Sequence, residues 1–258
     1  MATQPSSSPW IKFWQPRAHA RLRLFCFPYV GGGASLFQVF PKYLHEDIEV
    51  WSVQLPGRES RFAEAPYSRL EDLIEALENA LSPYLDVSYA FFGHSMGALI
   101  SFELTRALRR RGKVPFPIHL FVSAHRTPQL PPTMPPVHKL SDAAILERLQ
   151  KINGTSEEIF KHPELMELLI PLFRADFMLC ETYSYVPEAP LDCSLSAFGG
   201  LQDEAVTYES IKDWQSQTTG SFQTHFFPGD HFFFLKETER AALLWLLSQE
   251  ILRDLQKA

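Results

Sequence analysis

Residues 89–97 read Tyr89-Ala90-Phe91-Phe92-Gly93-His94-Ser95-Met96-Gly97, an apolar run that leads into a serine between two glycines. Residues 89–92 are typical of a short buried strand, and the pattern at 98–111 predicts a helix directly after the turn. In a nucleophile elbow the glycines leave room for neighbouring backbone, and the turn lifts the serine hydroxyl clear of the sheet. We therefore predict that Ser95 is a nucleophile at the carboxyl end of a strand.

Strand and helix patterns alternate on both sides of this junction. Short apolar runs predict further strands at 22–27, 49–55, 118–123, 195–198 and 222–227. Between them, apolar residues at steps of three and four predict helices at 70–81, 98–111 and 235–255. Parallel strands need crossover connections of this kind, so we predict an α/β sandwich, with a mostly parallel central sheet flanked by helices.

One stretch, about 127–190, breaks this alternation. It opens with five prolines within ten residues and continues into helical patterns at 141–151, 155–162 and 164–183. Thr155 and Glu158 have the spacing of a capping box, and Pro171 is expected to kink or divide the last helix. Because insertions at the strand ends of such sheets commonly cover the site, we interpret the stretch as a helical lid insertion.

The length of 258 residues fits one large α/β domain, which we assign to residues 21–258 with the lid inside it. Residues 1–20 are polar, contain prolines and show no sustained period. We expect them to form an N-terminal tail or edge segment that Trp10 and Trp14 dock onto the domain.

The composition excludes several classes of protein. A net charge of −6, with 45% hydrophobic and 21% charged residues, suits a globular chain with a sizeable core. It argues against a general nucleic-acid binder, which needs a basic face, and the apolar runs are too short to predict a membrane span. The cysteines are widely spaced and odd in number, which suggests neither a disulfide framework nor a metal site: Cys26, Cys180 and Cys193. We expect a cytoplasmic protein.

A serine nucleophile needs a base, and the base needs an acid to orient it. At an elbow of this kind the chain order is serine, acid, histidine, with each partner in a loop after a late strand. Asp203 follows the strand predicted at 195–198, and His231 follows the one predicted at 222–227. We therefore predict a catalytic triad of Ser95, Asp203 and His231.

Other histidines and acids lie near these positions. His94 adjoins the serine, but neighbouring side chains diverge on a sharp turn, so we expect it to pack inside the elbow. His125 follows a strand and could face the site, yet no later acid pairs with it in the expected order. Asp230 and Glu204 adjoin better candidates, and Asp192 is a distant second choice for the acid.

A reacting carbonyl also needs donors for its oxyanion. The backbone N–H of Met96, directly after the nucleophile, is the first candidate. The second is expected in the loop after an early strand, and we assign it to Val30, with Tyr29 as the adjacent possibility. Gly31-Gly32-Gly33 could simply form a tight turn, and the loop matches no phosphate-binding motif.

Several stretches together resemble the type II, stand-alone thioesterases that accompany nonribosomal peptide and polyketide synthases. They are Phe27-Pro28-Tyr29-Val30-Gly31-Gly32-Gly33, Gln54-Leu55-Pro56-Gly57-Arg58-Glu59, Gly93-His94-Ser95-Met96-Gly97, Leu169-Ile170-Pro171-Leu172-Phe173-Arg174-Ala175-Asp176-Phe177 and Phe226-Phe227-Pro228-Gly229-Asp230-His231-Phe232-Phe233. The resemblance covers about residues 24–250. It implies an α/β-hydrolase fold with a helical lid, and it implies a structural role for residues 174–177 within that lid.

The same resemblance implies hydrolysis of acyl or aminoacyl groups from the phosphopantetheine arm of carrier proteins, which clears stalled or misprimed synthases. Acyl or peptidyl carrier domains would then be the partners, with no metal or redox cofactor, and we expect a monomer. Medium-chain fatty-acid synthase thioesterases resemble the same motifs. A carboxylesterase or lipase acting on oxygen esters, an acyl-transfer or cyclising enzyme, and a non-catalytic binding module that keeps the fold also stay open.

Overall fold

A computed structural model describes residues 8–132, 135–151 and 162–257. Its centre is a seven-stranded sheet in the order β1-β3-β2-β4-β5-β6-β7, in which only β1 runs antiparallel to its neighbour. The predicted parallel sheet is confirmed. The strands are β1 Ile11–Lys12, β2 Leu22–Phe27, β3 Ile48–Val53, β4 Tyr89–His94, β5 His119–Ser123, β6 Ser194–Gly200 and β7 Phe222–Phe227.

Helices cover both faces of this sheet. Adjacent strand residues point to opposite faces, so Phe91 packs in the cluster that holds α1 and α2, whereas Phe92 packs in the cluster that holds the carboxyl-terminal helix α6. Burial on both faces explains why the central strands β2, β4 and β5 are mostly apolar. The helices are α1 Leu70–Leu81, α2 Met96–Arg111, α3 Asp142–Lys151, α4 Pro163–Glu181, α5 Tyr208–Lys212 and α6 Glu237–Leu255.

Two helix starts differ from the sequence-based expectation. Helix α2 begins at Met96, two residues before the apolar pattern at 98, because the turn after β4 consists of Ser95 alone. Helix α6 begins at Glu237 and not at Leu235, because Phe233–Leu235 form a separate 3-10 turn.

The lid insertion contains α3 and α4, which share a small apolar cluster of their own. Pro171 does not divide α4, which continues from Pro163 to Glu181. The proline is exposed, while Ile170 and Leu172 on either side of it are buried, so packing offsets the lost helical hydrogen bond. The helix expected at 155–162, with its capping box, lies outside the described residues apart from His162.

Residues 8–20 lie along the outer edge of β3. Strand β1 pairs there through Ile11 and Lys12, which no apolar alternation in the sequence predicted. The indole Nε1 of Trp14 donates to Ser52 Oγ at 3.1 Å, and the Arg61 guanidinium lies 4.0 Å from the ring centre of Trp10. Both tryptophans therefore contact the domain.

The described parts of the chain contain no helix whose length and apolar character would let it cross a bilayer. The three cysteines are free thiols, and two of them, Cys26 and Cys193, are buried.

Candidate active site

Ser95 forms the whole turn between β4 and α2. Its backbone has φ 53° and ψ −116°, and its N–H donates to the carbonyl of Ser123 at 2.8 Å. A Cβ on Gly93 would lie 2.1 Å from the carbonyl oxygen of Gly97, and a Cβ on Gly97 would lie 2.1 Å from that of Phe27. The two glycines are therefore required sterically, because backbone atoms occupy the space of a side chain.

His231 bridges Ser95 and Asp203. Its Nε2 lies 2.9 Å from Ser95 Oγ, and its Nδ1 lies 2.7 Å from Asp203 Oδ2. A carboxylate only accepts, so the proton sits on Nδ1 and Nε2 is left to accept from the serine hydroxyl. The three residues thus have the hydrogen-bond order that a general-base-activated serine requires.

The loops after β6 and β7 hold Asp203 and His231 side by side. Asp203 Oδ1 accepts the backbone N–H groups of Ala205 and Val206 at 2.9 and 3.2 Å, and its side chain is only 1% exposed. Gln202 Oε1 accepts the N–H of Gly229 at 2.5 Å and so ties the two loops together. These contacts leave the second oxygen of Asp203 aimed at the imidazole.

The two other histidines near the site, His94 and His125, form hydrogen bonds with neighbouring groups other than Ser95 and Asp203. His94 is fully buried, with Nδ1 2.9 Å from Ser123 Oγ and its ring packed 4.4 Å from that of Phe234. Burial, reinforced by the nearby His231, lowers the pKa of His94 well below its usual value. Burial likewise lowers the pKa of His125 to about 3, and its Nδ1 donates to the carbonyl of Arg126 at 2.6 Å.

The other carboxylates considered as partners of His231 are Asp230, Glu204 and Asp192, whereas its Nδ1 donates a hydrogen bond to Asp203. Asp230 Oδ1 accepts the backbone N–H of Phe232 at 2.9 Å, within its own loop. Glu204 is exposed beside Asp203. Asp192 is exposed and precedes β6, so it lies at the opposite end of that strand from Asp203.

The two candidate oxyanion donors come from neighbouring elements. Met96 begins α2, where backbone N–H groups have no partner inside the helix. Val30 lies in the loop after β2, and β2 pairs with β4 so that Phe27 is opposite Gly93. The structure therefore places the Val30 loop beside the serine turn.

One contact at the site was not foreseen from the sequence. The carboxylate of Asp176 on the lid helix accepts the N–H of Gly31 at 2.8 Å and pairs with Arg58 through two 2.8 Å hydrogen bonds. Both charged residues stand in stretches that carried the resemblance. Their pairing joins positions 118 residues apart, so no local pattern could have indicated it.

Comparisons with known proteins agree with this geometry. The family model described as "Thioesterase domain" matches residues 22–249. The gramicidin S biosynthesis protein GrsT of Aneurinibacillus migulanus is 45% identical over 224 residues, which is 87% of each protein.

Two solved structures are similar over nearly the whole chain. RedJ, the thioesterase from the prodiginine biosynthetic pathway in Streptomyces coelicolor, superposes with a TM-score of 0.86 at 41% identity, covering 96% of both chains. The type II thioesterase BorB from the borrelidin biosynthetic cluster gives a TM-score of 0.86 at 33% identity, covering 95% of this chain and 99% of that one. The predicted α/β-hydrolase architecture is confirmed.

Proposed function

Since this chain belongs to the thioesterase family, we propose that it hydrolyses acyl or aminoacyl groups from the phosphopantetheine arm of carrier proteins by a serine–histidine–aspartate mechanism. The observation that carries the proposal is the continuous hydrogen-bond chain from Ser95 through His231 to Asp203. The similarity to GrsT and BorB supports a peptide or polyketide synthase as the setting.

In the first half of the reaction, Ser95 Oγ attacks the thioester carbonyl while His231 Nε2 takes the hydroxyl proton. Asp203 holds the imidazole in the required tautomer and stabilises its charged form. The N–H groups of Met96 and Val30 donate to the oxyanion of the tetrahedral intermediate. The carbon–sulfur bond then breaks, and the phosphopantetheine sulfur takes the proton from His231 and leaves as the thiol.

In the second half, His231 takes a proton from water, which attacks the acyl-serine ester. The second tetrahedral intermediate uses the same two oxyanion donors. Its collapse returns the proton to Ser95 Oγ and releases the free acid. For a synthase whose carrier holds a wrong or stalled acyl group, this reaction restores the free thiol, which is the editing role that we propose.

We expect Ser95→Ala to abolish thioester hydrolysis and leave the fold intact, because the elbow keeps its glycines and only the nucleophilic oxygen is removed. The measurement presents one acyl group in three forms: on a phosphopantetheinylated carrier protein, on a small thiol, and as an oxygen ester. Circular dichroism of the variant checks the fold.

A clear preference for the carrier-bound form supports carrier-directed editing or chain release. Equal rates on all three substrates, or faster hydrolysis of the oxygen ester, would contradict the carrier assignment while leaving the serine mechanism in place. Activity in Ser95→Ala at the level of the parent protein would contradict the mechanism itself.

A further inference from the structure

The lid helix α4 places a buried negative charge against the loop that follows β2. The side chain of Asp176 is 2% exposed, and that of its partner Arg58 is 4% exposed. One carboxylate oxygen, Oδ2, accepts from both Arg58 Nη1 and the Gly31 N–H, and the other oxygen accepts from Arg58 Nη2, each at 2.8 Å. A bidentate pair between an arginine and a carboxylate, with both groups charged, has a well-defined geometry.

Arg58 holds the same loop at a second point. Its Nη1 also donates to the carbonyl of Gly32 at 3.2 Å, and its Nε donates to the carbonyl of Pro56 at 3.1 Å. Two consecutive residues of the loop, Gly31 and Gly32, are thus bound by the ion pair, one through its N–H and the other through its carbonyl.

The lid also packs directly on this loop. The side chain of Val30 contacts the apolar cluster formed by α3 and α4. Gly31 has φ +74°, and a Cβ there would lie 2.2 Å from the ring of Phe173 on α4. Val30, which carries the candidate oxyanion N–H, and Gly31 therefore both contact the lid.

We infer that Asp176 and Arg58 are positioning residues for the oxyanion hole, and that the lid helix is in this way part of the catalytic apparatus. The inference rests on the proposed serine mechanism and deepens it. By binding the Gly31 N–H and the Gly32 carbonyl, the pair fixes the peptide planes that follow Val30. The Gly32 N–H in turn donates at 2.9 Å to the carbonyl of Tyr29, which lies in the same peptide plane as the Val30 N–H, and so the pair sets the direction of that N–H toward the substrate oxygen.

Stability of the fold explains the buried Asp176–Arg58 pair less well than positioning of the loop does. Replacing a buried ion pair by apolar residues of similar size is often neutral or stabilising, because desolvation offsets the attraction between the charges. An apolar pair could fill the space between α4 and the loop, but it could not accept the Gly31 N–H. An apolar side chain could replace the packing of Asp176, but it could not replace its role as hydrogen-bond acceptor for the Gly31 N–H.

The test uses the double variant Arg58→Met/Asp176→Leu, which removes the acceptor of the Gly31 N–H and leaves no unpaired buried charge. Displacement of an oxyanion donor by a fraction of an ångström to an ångström is expected to lower kcat by about 10- to 100-fold. We expect KM to change by less than about 2-fold, because the ground-state carbonyl relies less on the oxyanion donors than the transition state does.

A matched control comes from a second buried pair at the lid. Arg106 Nη1 donates to Glu103 Oε1 at 2.6 Å, and Tyr183, after the lid helix, donates its hydroxyl to the same carboxylate. This pair anchors the lid segment to α2, and its hydrogen bonds and ion pairs within the described residues go to Tyr183, Val186 and Glu188, away from the loop at 28–33. Glu103→Leu/Arg106→Met is expected to keep kcat within about 3-fold of the parent value.

A trifluoromethyl ketone analogue of the thioester provides a readout that a purely structural role would not move. Ser95 Oγ adds to its carbonyl carbon, His231 takes the serine proton, and the resulting oxyanion occupies the proposed hole. In Arg58→Met/Asp176→Leu the inhibition constant should rise by about the same factor as kcat/KM falls. In the control double variant it should stay near the parent value.

The outcomes separate this inference from the function it rests on. Parent-like kcat in Arg58→Met/Asp176→Leu, with Ser95→Ala inactive, would overturn the inference alone. An equal loss of kcat in the Glu103→Leu/Arg106→Met control would also overturn it, because the loss would then be a general effect of lid anchoring. An unchanged inhibition constant in Arg58→Met/Asp176→Leu would overturn it as well, because the oxyanion hole would then be intact. Full activity in Ser95→Ala would remove the proposed mechanism itself.

Discussion

At the residue scale, the proposed chemistry depends on which atom of His231 carries its proton. Asp203 is held by two backbone N–H groups through Oδ1 and turns Oδ2 toward His231 Nδ1 at 2.7 Å. This directs the unprotonated Nε2 at Ser95 Oγ, 2.9 Å away. In the proposed mechanism Asp203 therefore sets the tautomer and the orientation of the imidazole ring.

Asp203→Asn is expected to lower kcat by roughly 10⁴-fold while the protein stays folded, because an amide can donate to Nδ1 and select the wrong tautomer. Steady-state kinetics with a small thioester checks this, and thermal unfolding checks the fold. Asp230→Asn serves as the control, since that side chain bonds within its own loop. A loss of kcat in the control as large as in Asp203→Asn would argue against the assigned acid.

At the element scale, the carboxyl-terminal helix α6 docks on the sheet through polar contacts as well as apolar ones. Glu250 is 4% exposed and accepts from His225 Nε2 at 3.0 Å and from the hydroxyl of Ser196. Burial alone would raise the pKa of Glu250, but the hydrogen bonds from His225 and Ser196 lower it overall. The helix thus stays bound with an ionised carboxylate facing β6 and β7.

Glu250→Ala is expected to reduce the free energy of unfolding by about 2–3 kcal/mol, because the buried Ser196 hydroxyl and the partly buried His225 imidazole lose their charged acceptor. Urea unfolding measures the change. The exposed neighbour Gln249→Ala provides the matched control and should change the free energy by less than about 0.5 kcal/mol. Equal stability of the two variants would show that α6 docks through apolar packing alone.

At the scale of the whole molecule, the fully buried His94 and the partly buried His125 make stability depend on pH. Burial lowers the pKa of both His94 and His125, with the positive charge of Arg126 adding to the effect at His125. Below the unfolded-state pKa of about 6.5, each histidine binds a proton in the unfolded chain that it does not bind in the folded one. Acid therefore favours unfolding, and the lowered pKa of Glu250 adds in the same direction at lower pH.

We expect the free energy of unfolding to fall between pH 7 and pH 5 by about 1–2 kcal/mol for each of these two histidines. Urea midpoints at the two pH values measure the fall. In His125→Gln the fall should be smaller by the contribution of one histidine. The same pH dependence in His125→Gln as in the parent protein would show that His125 is protonated in the folded state.

The fold and the candidate triad could be predicted because each depends on short stretches of sequence. Apolar runs indicated six strands, and the junction at Gly93-His94-Ser95 indicated the turn. Asp203 and His231 followed from their places after late strands. Strand β1 could not be predicted, because a two-residue strand has no period of its own and forms only along the free edge of β3.

Local sterics and hydrophobic periodicity act over a few neighbouring residues, so the amino-acid sequence indicates the alternation of strands and helices, the serine turn, and the positions of Asp203 and His231 after late strands. The meeting of Asp176 and Arg58 at the loop of Gly31, and the continuation of α4 through Pro171, are seen only in the folded chain. Contacts of this kind join elements far apart in the chain. Their partners are chosen by how the lid packs against the sheet, and no local pattern of residues encodes that packing.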